Sequence, residues 1–305
     1  MRRLSFLILA VAAALASTAC AIPHDPKYTL ESGGRSRNFY VHLPKYYSTS
    51  NRWPLVFVIH GRTGTGPGME RIAYFDNFAD RNGIIAVYPN GISRSWADGR
   101  GDSPAERDGV DDVAFFSAML DRLESTYSVD TSRVYASGLS NGGFMSYRLA
   151  CELSARIAAV APVGATFSAT LSENCHPSRP VSVLEINGTD DPLVPYDGGQ
   201  VRHGSSGRIL SARDSVQSWA RIDACPATPV RDSFHGESSG GFETRHEIYS
   251  GCRDNAEVAL YSVVGGGHTW PGGRQYLPAL IIGKTSRDFD ANDIIWKFFQ
   301  AHPLR

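Results

Sequence analysis

The sequence has no run of basic residues, and its 30 lysines and arginines stand against 31 acidic residues, a formal charge of −1. No nucleic-acid partner is expected from such a balance. There is no HExxH and no CxxC, so neither a zinc-hydrolase centre nor a dithiol redox pair is encoded, and no metal or cofactor is expected. Beyond residue 15 no long apolar run exists, which leaves no candidate for a membrane-spanning helix. No internal repeat and no low-complexity linker interrupts the chain. Cysteine is scarce, with five residues in 305.

The one long apolar run follows Arg2-Arg3, covers residues 4–15, and leads through the small residues 16–19 to Cys20. That is the pattern of an export signal, too short to span a bilayer comfortably. The expected division is a leader over 1–19 with cleavage near Cys20-Ala21, a tether over 20–27, and one domain over 28–305. Losing the leader removes two arginines and leaves 28 basic against 31 acidic residues, a balance of −3. The product is then exported, either released or lipid-anchored at Cys20. Ser17 suits lipidation poorly, and Ala19-Cys20-Ala21 serves equally as an ordinary cleavage site. The four other cysteines, Cys151, Cys175, Cys225 and Cys252, suggest two disulfides with three possible connectivities. Pairing nearest neighbours is the simplest, and a buried free thiol at Cys151 is the alternative.

Residues 55–59 form a continuous apolar run, read as a strand buried on both faces, and the largely apolar stretches 84–88, 134–136, 157–163, 181–186 and 258–263 are read as further strands. Helical patterns fall between them near 71–81, 113–123, 211–222 and 291–301. The alternation argues an α/β fold: a doubly wound, mostly parallel sheet with helices on both faces and ligand loops at the carboxyl ends of the strands.

One stretch organises the rest. Residues 134–136 run into Gly138-Leu-Ser-Asn-Gly142, and a helix-forming segment follows. A serine on a sharp strand-to-helix turn sits in a strained backbone, so its neighbours must be small, and the helix start favours negative charge. Ser140 is the candidate nucleophile. A hydroxyl is a weak nucleophile and needs an imidazole base oriented by a carboxylate. Among the histidines after the elbow, His268 lies just past a strong strand in a glycine-rich loop. His203 and His235 lie in polar stretches, His246 near a strand, and His302 on the last helix. His60 precedes the serine and is the runner-up base. For the carboxylate, Asp190 and Asp191 are adjacent, and both also suit a turn. An oxyanion hole requires two backbone N–H groups. One should come from Asn141, and the other from the loop after 55–59, at Arg62 or else Thr63. Trp96 and Trp270, on loops after core strands, are candidates to stack on a planar acyl group or a sugar ring, against the plainer reading that both pack loops.

His60-Gly-Arg-Thr-Gly64, Val110-Asp-Asp-Val113, Gly138-Leu-Ser-Asn-Gly-Gly143, the Asn187-to-Tyr196 stretch NGTDDPLVPY and Gly266-Gly-His-Thr-Trp-Pro-Gly272 together resemble the secreted poly(3-hydroxybutyrate) depolymerase/feruloyl esterase family of α/β hydrolases. The resemblance covers residues 28–303 and implies Ser140, Asp191 and His268 as the triad. Two positions depart from it: Asn187, where relatives usually carry histidine, and Arg62, where they often carry a small residue or cysteine. The implied activity is hydrolysis of small-molecule or oligomeric esters of plant cell-wall or polyester origin. With only a catalytic domain in the sequence, soluble esters are expected ahead of insoluble polymer. The other readings are an envelope acyltransferase and a non-catalytic ligand-binding protein on the same scaffold.

Overall fold

Leu55, Phe57 and Ile59 alternate with Val56 and Val58, and all five are fully buried. In the computed structural model, which describes residues 25–202, 207–235 and 241–305, the two sets enter two different cores on opposite faces of one sheet. A strand that is apolar at every position has to lie between two layers.

The sheet has ten strands among the described residues: β1 (Lys27–Ser32), β2 (Arg35–His42), β3 (Trp53–Ile59), β4 (Ile85–Pro89), β5 (Val129–Leu139), β6 (Ala159–Val163), β7 (Ser182–Gly188), β8 (Val230–His235), β9 (Glu243–Tyr249) and β10 (Val258–Val263). Their spatial order is β1-β2-β4-β3-β5-β6-β7-β10-β9-β8. The middle is parallel from β4 to β10, and antiparallel pairs close both edges. The edges show why β8 escapes a search for apolar runs. Its residues 230–233 and 235 are exposed, so it carries no buried stripe, and His235 closes a strand rather than lying in a loop.

Helices α1 (Gly66–Ala73), α2 (Phe75–Asn82) and α6 (Ala291–Ala301) cover one face; α3 (Asp112–Thr126), α4 (Asn141–Glu152) and α5 (Ala212–Ile222) cover the other. The single helix expected over 71–81 is two helices. Tyr74, in the left-handed region at φ 52°, breaks the run and caps α1. Each large apolar side chain buried in these layers contributes about 1.5–3 kcal/mol. No described helix is long and apolar enough to cross a membrane. Residues 1–19, Cys20 and His203 lie outside the described residues.

Both disulfides join nearest neighbours, Cys151 with Cys175 and Cys225 with Cys252. Loops of 24 and 27 residues give roughly 3–4 kcal/mol each on the chain-entropy estimate. The first ties the end of α4 to the segment leading into β7.

Candidate active site

The serine elbow is built by close backbone contact. β5 ends at Leu139 and α4 begins at Asn141, so Ser140 alone makes the turn, at φ 58° and ψ −121°. A non-glycine residue there carries strain of about 1–3 kcal/mol. The surroundings hold it in place. The Ser140 N–H donates to Val163 O at 2.9 Å, on the neighbouring strand. A Cβ on Gly142 would lie 2.2 Å from Ile59 O, and one on Gly138 would lie 2.7 Å from the same oxygen. Only glycine fits at those two positions.

The carboxylate and the imidazole come from the ends of β7 and β10. Asp191 Oδ1 accepts the N–H groups of Leu193 and Val194 at 2.7 and 2.8 Å. This Asx-type turn aims the other oxygen, Oδ2, at His268 Nδ1, 2.6 Å away. Both groups are buried, with 2% of each side chain exposed. Asp190 is exposed, and its carboxylate meets only the Thr189 hydroxyl, at 3.3 Å. Of the two aspartates, left open by the local sequence, Asp191 is therefore the one paired with His268. His268 is fixed from three further sides. Its N–H donates to Ile282 O at 2.6 Å, and its carbonyl accepts the Tyr276 hydroxyl at 3.0 Å. Gly164, at φ 57°, leaves the ring its room: a Cβ there would be 3.2 Å from Nδ1.

Ser140 and His268 share one cavity of about 470 Å³, with His60, Gly61, Arg62, Thr63 and Asn141 in the same wall. His60 does not act as a free base. Its Nε2 accepts the Gly91 N–H at 3.1 Å, so Nδ1 carries the proton and donates to Gly61 O at 2.7 Å. Burial pushes its pKa down to about 4, with the Arg94 charge adding to the effect. It is a neutral brace beneath the 61–64 loop. Within that loop the Thr63 N–H donates to Arg94 O at 2.8 Å. That commits the Thr63 N–H inside the protein, while Arg62 and Asn141, the latter at the first turn of α4, line the same cavity.

Residues 31–270 match the family model described as putative esterase. The chain belongs to this esterase family. It is 31% identical over 270 residues to the putative esterase NocK of Nocardia uniformis subsp. tsuyamanensis, covering 85% of this chain and 78% of that protein. Feruloyl esterase D of Neurospora crassa is 28% identical over 296 residues, 88% of this chain and 89% of its own. Feruloyl esterase B of Piromyces equi is 28% identical over 236 residues, 76% of this chain but 42% of that longer protein. The solved acetyl xylan esterase from Aspergillus awamori shares the fold with a TM-score of 0.59 at 14% identity, over 90% of this chain and 99% of that one. The protein is a carboxylic-ester hydrolase of the feruloyl esterase-type α/β-hydrolase family.

Two candidates in this esterase lie elsewhere than expected. Trp96 and Trp270 are both fully buried, and neither lines the cavity. Trp96 belongs to the core on the α3–α4 face, and its Nε1 donates to His60 O at 2.8 Å. Trp270 belongs to the opposite core and donates to Asn292 Oδ1 at 3.1 Å. An indole buried with its N–H satisfied inside the protein has no face left for a ligand. Both pack loops, and the assignment of substrate contact to them is corrected accordingly.

Other residues serve the site without having drawn notice. Asp98, fully buried, pairs with Arg100 at 2.6 Å and accepts the Asn141 side-chain amide. The Asn141 amide oxygen in turn accepts the Trp96 N–H at 2.8 Å, so the residue after the serine is tied to the 96–100 loop. Asp112 anchors that loop from α3 by accepting the Ala97 N–H at 2.7 Å. Beneath the acid loop, burial pushes the Glu185 carboxyl well above its usual range, and Tyr147 and Asn187 donate to it. Asn187, the departure from the family pattern, also donates to Ala165 O at 3.3 Å. An isolated acid inside an apolar strand carries no periodic signal that announces such a role.

Proposed function

We propose that the chain is an exported serine esterase working through an acyl-enzyme on Ser140, with Asp191 orienting His268 and His268 moving the proton. The observation that carries this reading is the 2.6 Å pair of His268 Nδ1 and Asp191 Oδ2, set in a cavity that also holds Ser140. With Nδ1 engaged, Nε2 takes the hydroxyl proton as Oγ attacks the ester carbonyl. The electron pair moves to the carbonyl oxygen, where the N–H groups of Asn141 and Arg62 stabilise it. Collapse breaks the ester C–O bond, His268 passes its proton to the departing alcohol, and the acyl group remains on Ser140. Water then attacks with His268 as base, and the acid leaves as Oγ regains its proton.

The substrates proposed are small soluble esters, with feruloyl-type esters and hydroxybutyrate oligomers ahead of solid polyester. Relatives named feruloyl esterases support the first class, and the cavity size suits either. Its apolar wall includes Met69, Ile72, Leu193, Val194 and Leu277, in place of the two tryptophans. Export rests on the leader-like residues 1–19 and on two disulfides, which suit an oxidising compartment. On this reading residues 28–305 form the catalytic domain, and Cys20 either carries a lipid or begins the released protein. A fluorophosphonate probe that labels wild type but not Ser140→Ala is the expected result. Kinetics on methyl ferulate, a hydroxybutyrate trimer and p-nitrophenyl butyrate, beside clearing of a polyester film, rank the substrates. Absence of labelling together with absence of turnover removes the reading.

A further inference from the structure

The cavity wall is not electrically neutral. Arg62, Arg100 and Arg202 line it, and no carboxylate does among the described residues. The chain as a whole has slightly more acids than bases, so three arginines in one cavity wall are a local concentration of arginine.

Arg100 is the built part of it. The residue is 5% exposed, and Asp98 and Phe144 both hold its guanidinium. Its Nε spans both Asp98 oxygens at 3.1 and 3.0 Å, Nη2 meets Oδ2 at 2.6 Å, and the group lies 4.2 Å from the Phe144 ring centroid. Asp98 has no exposed surface, is not in the cavity lining, and accepts the Asn141 amide. Of this ion pair, the arginine is in the cavity lining and the aspartate lies against the residue that follows the serine. Arg202 is placed from the other side. Its N–H donates to Leu193 O at 2.9 Å, and Leu193 is itself bonded to Asp191. The backbone that carries this exposed arginine is thus tied to the acid loop. His60 stays neutral and adds no charge.

Guanidinium groups held in a partly buried cleft recognise planar anions with geometry as well as charge. Coulomb interaction there is several-fold stronger than in bulk water. We infer that the esterase selects esters that carry a carboxylate near the scissile bond, such as half-esters of dicarboxylic acids or hydroxy-acid esters with a free acid end. Arg202 and Arg100 are the specificity-determining residues. This rests on the reading of the Ser140 cavity as the ester site.

The test compares matched substrates. One pair, 4-carboxyphenyl butyrate and 4-(methoxycarbonyl)phenyl butyrate, puts the charge on the leaving side. The other, 4-nitrophenyl hydrogen glutarate and its methyl ester, puts it on the acyl side. The quantity read is the ratio of kcat/KM for the anionic member to that for the neutral member. In wild type at low salt the ratio is expected to exceed, by about tenfold, that of Arg202→Gln in at least one pair. Arg202→Lys should restore most of it, and about 0.5 M salt should suppress it. Equal ratios for wild type and Arg202→Gln in both pairs, with the neutral esters still turned over, overturn the inference and leave the esterase reading standing. Loss of all turnover on neutral and anionic esters alike strikes at the esterase reading instead.

Discussion

The two halves of the proposed catalytic constellation are made in different ways. The elbow is local: strand, serine and helix are consecutive, and glycines at 138 and 142 let two backbones touch across Ile59 O. The acid–base half is assembled from residues 77 apart in sequence, joined by the parallel pairing of β7 with β10 and by the Asx turn at Asp191. One half stores strain in the backbone of Ser140. The other orients side chains through hydrogen bonds between loops. Local chemistry can place a nucleophile, but only the completed sheet can bring it its base.

Deleting a member from each half gives the largest effects. Ser140→Ala is expected to fold normally and to lose roughly 10⁵- to 10⁶-fold in kcat, because no other group can carry the acyl chain. Near-native turnover by that variant would place the nucleophile elsewhere. On the assembled side, Asp191→Asn should cost about 10⁴-fold, since an amide no longer holds the productive tautomer of His268. Asp190→Asn should remain within about twofold, as befits an exposed turn residue. If the two aspartates changed places in such an assay, the 2.6 Å contact would have no catalytic meaning.

A finer cut tests whether the base loop behaves as a unit. Tyr276→Phe removes the hydroxyl that bonds the His268 carbonyl. The loss is expected to be about 1 kcal/mol, seen as a fall in kcat of several-fold with little change in thermal unfolding. A large fall in melting temperature with unchanged kcat would make Tyr276 a structural residue only.

The smallest effect is expected outside both halves. His42 sits among Asp25, Asp76 and Asp80, with 3.0 Å contacts to the first and third. Burial alone would lower its pKa, but these carboxylates prevail and raise it from 6.5 to about 9. A folded-state value above the unfolded one stabilises the fold fully below pH 6.5, and that contribution disappears as pH rises through 9. His42→Gln should therefore lower the melting temperature near pH 6 and converge on wild type near pH 10. Its kcat should not move, because the cluster touches neither half of the site. A melting-temperature difference that is constant with pH would remove the charge explanation.

Much of the site was legible before any coordinates. Ser140 announces itself through flanking glycines and the strand and helix on either side, all short-range features. His268 could be singled out because it alone followed a strong strand in a glycine-rich loop. The cysteines were few enough for parity to suggest two bonds, and nearest-neighbour pairing matches the structure. Trp96 and Trp270 were misread for a definite reason. A loop at the carboxyl end of a strand turns toward the cavity or down into a core, and sequence does not say which. Here they turn into opposite cores. β8 was missed because an edge strand with mostly exposed residues has no apolar period to detect.

By itself the sequence determined the class of fold and the strand–serine–helix turn at Ser140, since periodicity, glycine placement and residue type act over a few neighbouring positions. Tertiary structure alone decided which of Asp190 and Asp191 pairs with His268, that the Thr63 N–H is committed, and between wall and core for the tryptophans. Each of those choices turns on the direction in which a group points after loops from distant strands have met. An N–H already bonded to Arg94 O and an indole already bonded inside the core are no longer available to a substrate. Such commitments exist only once the sheet has closed around them.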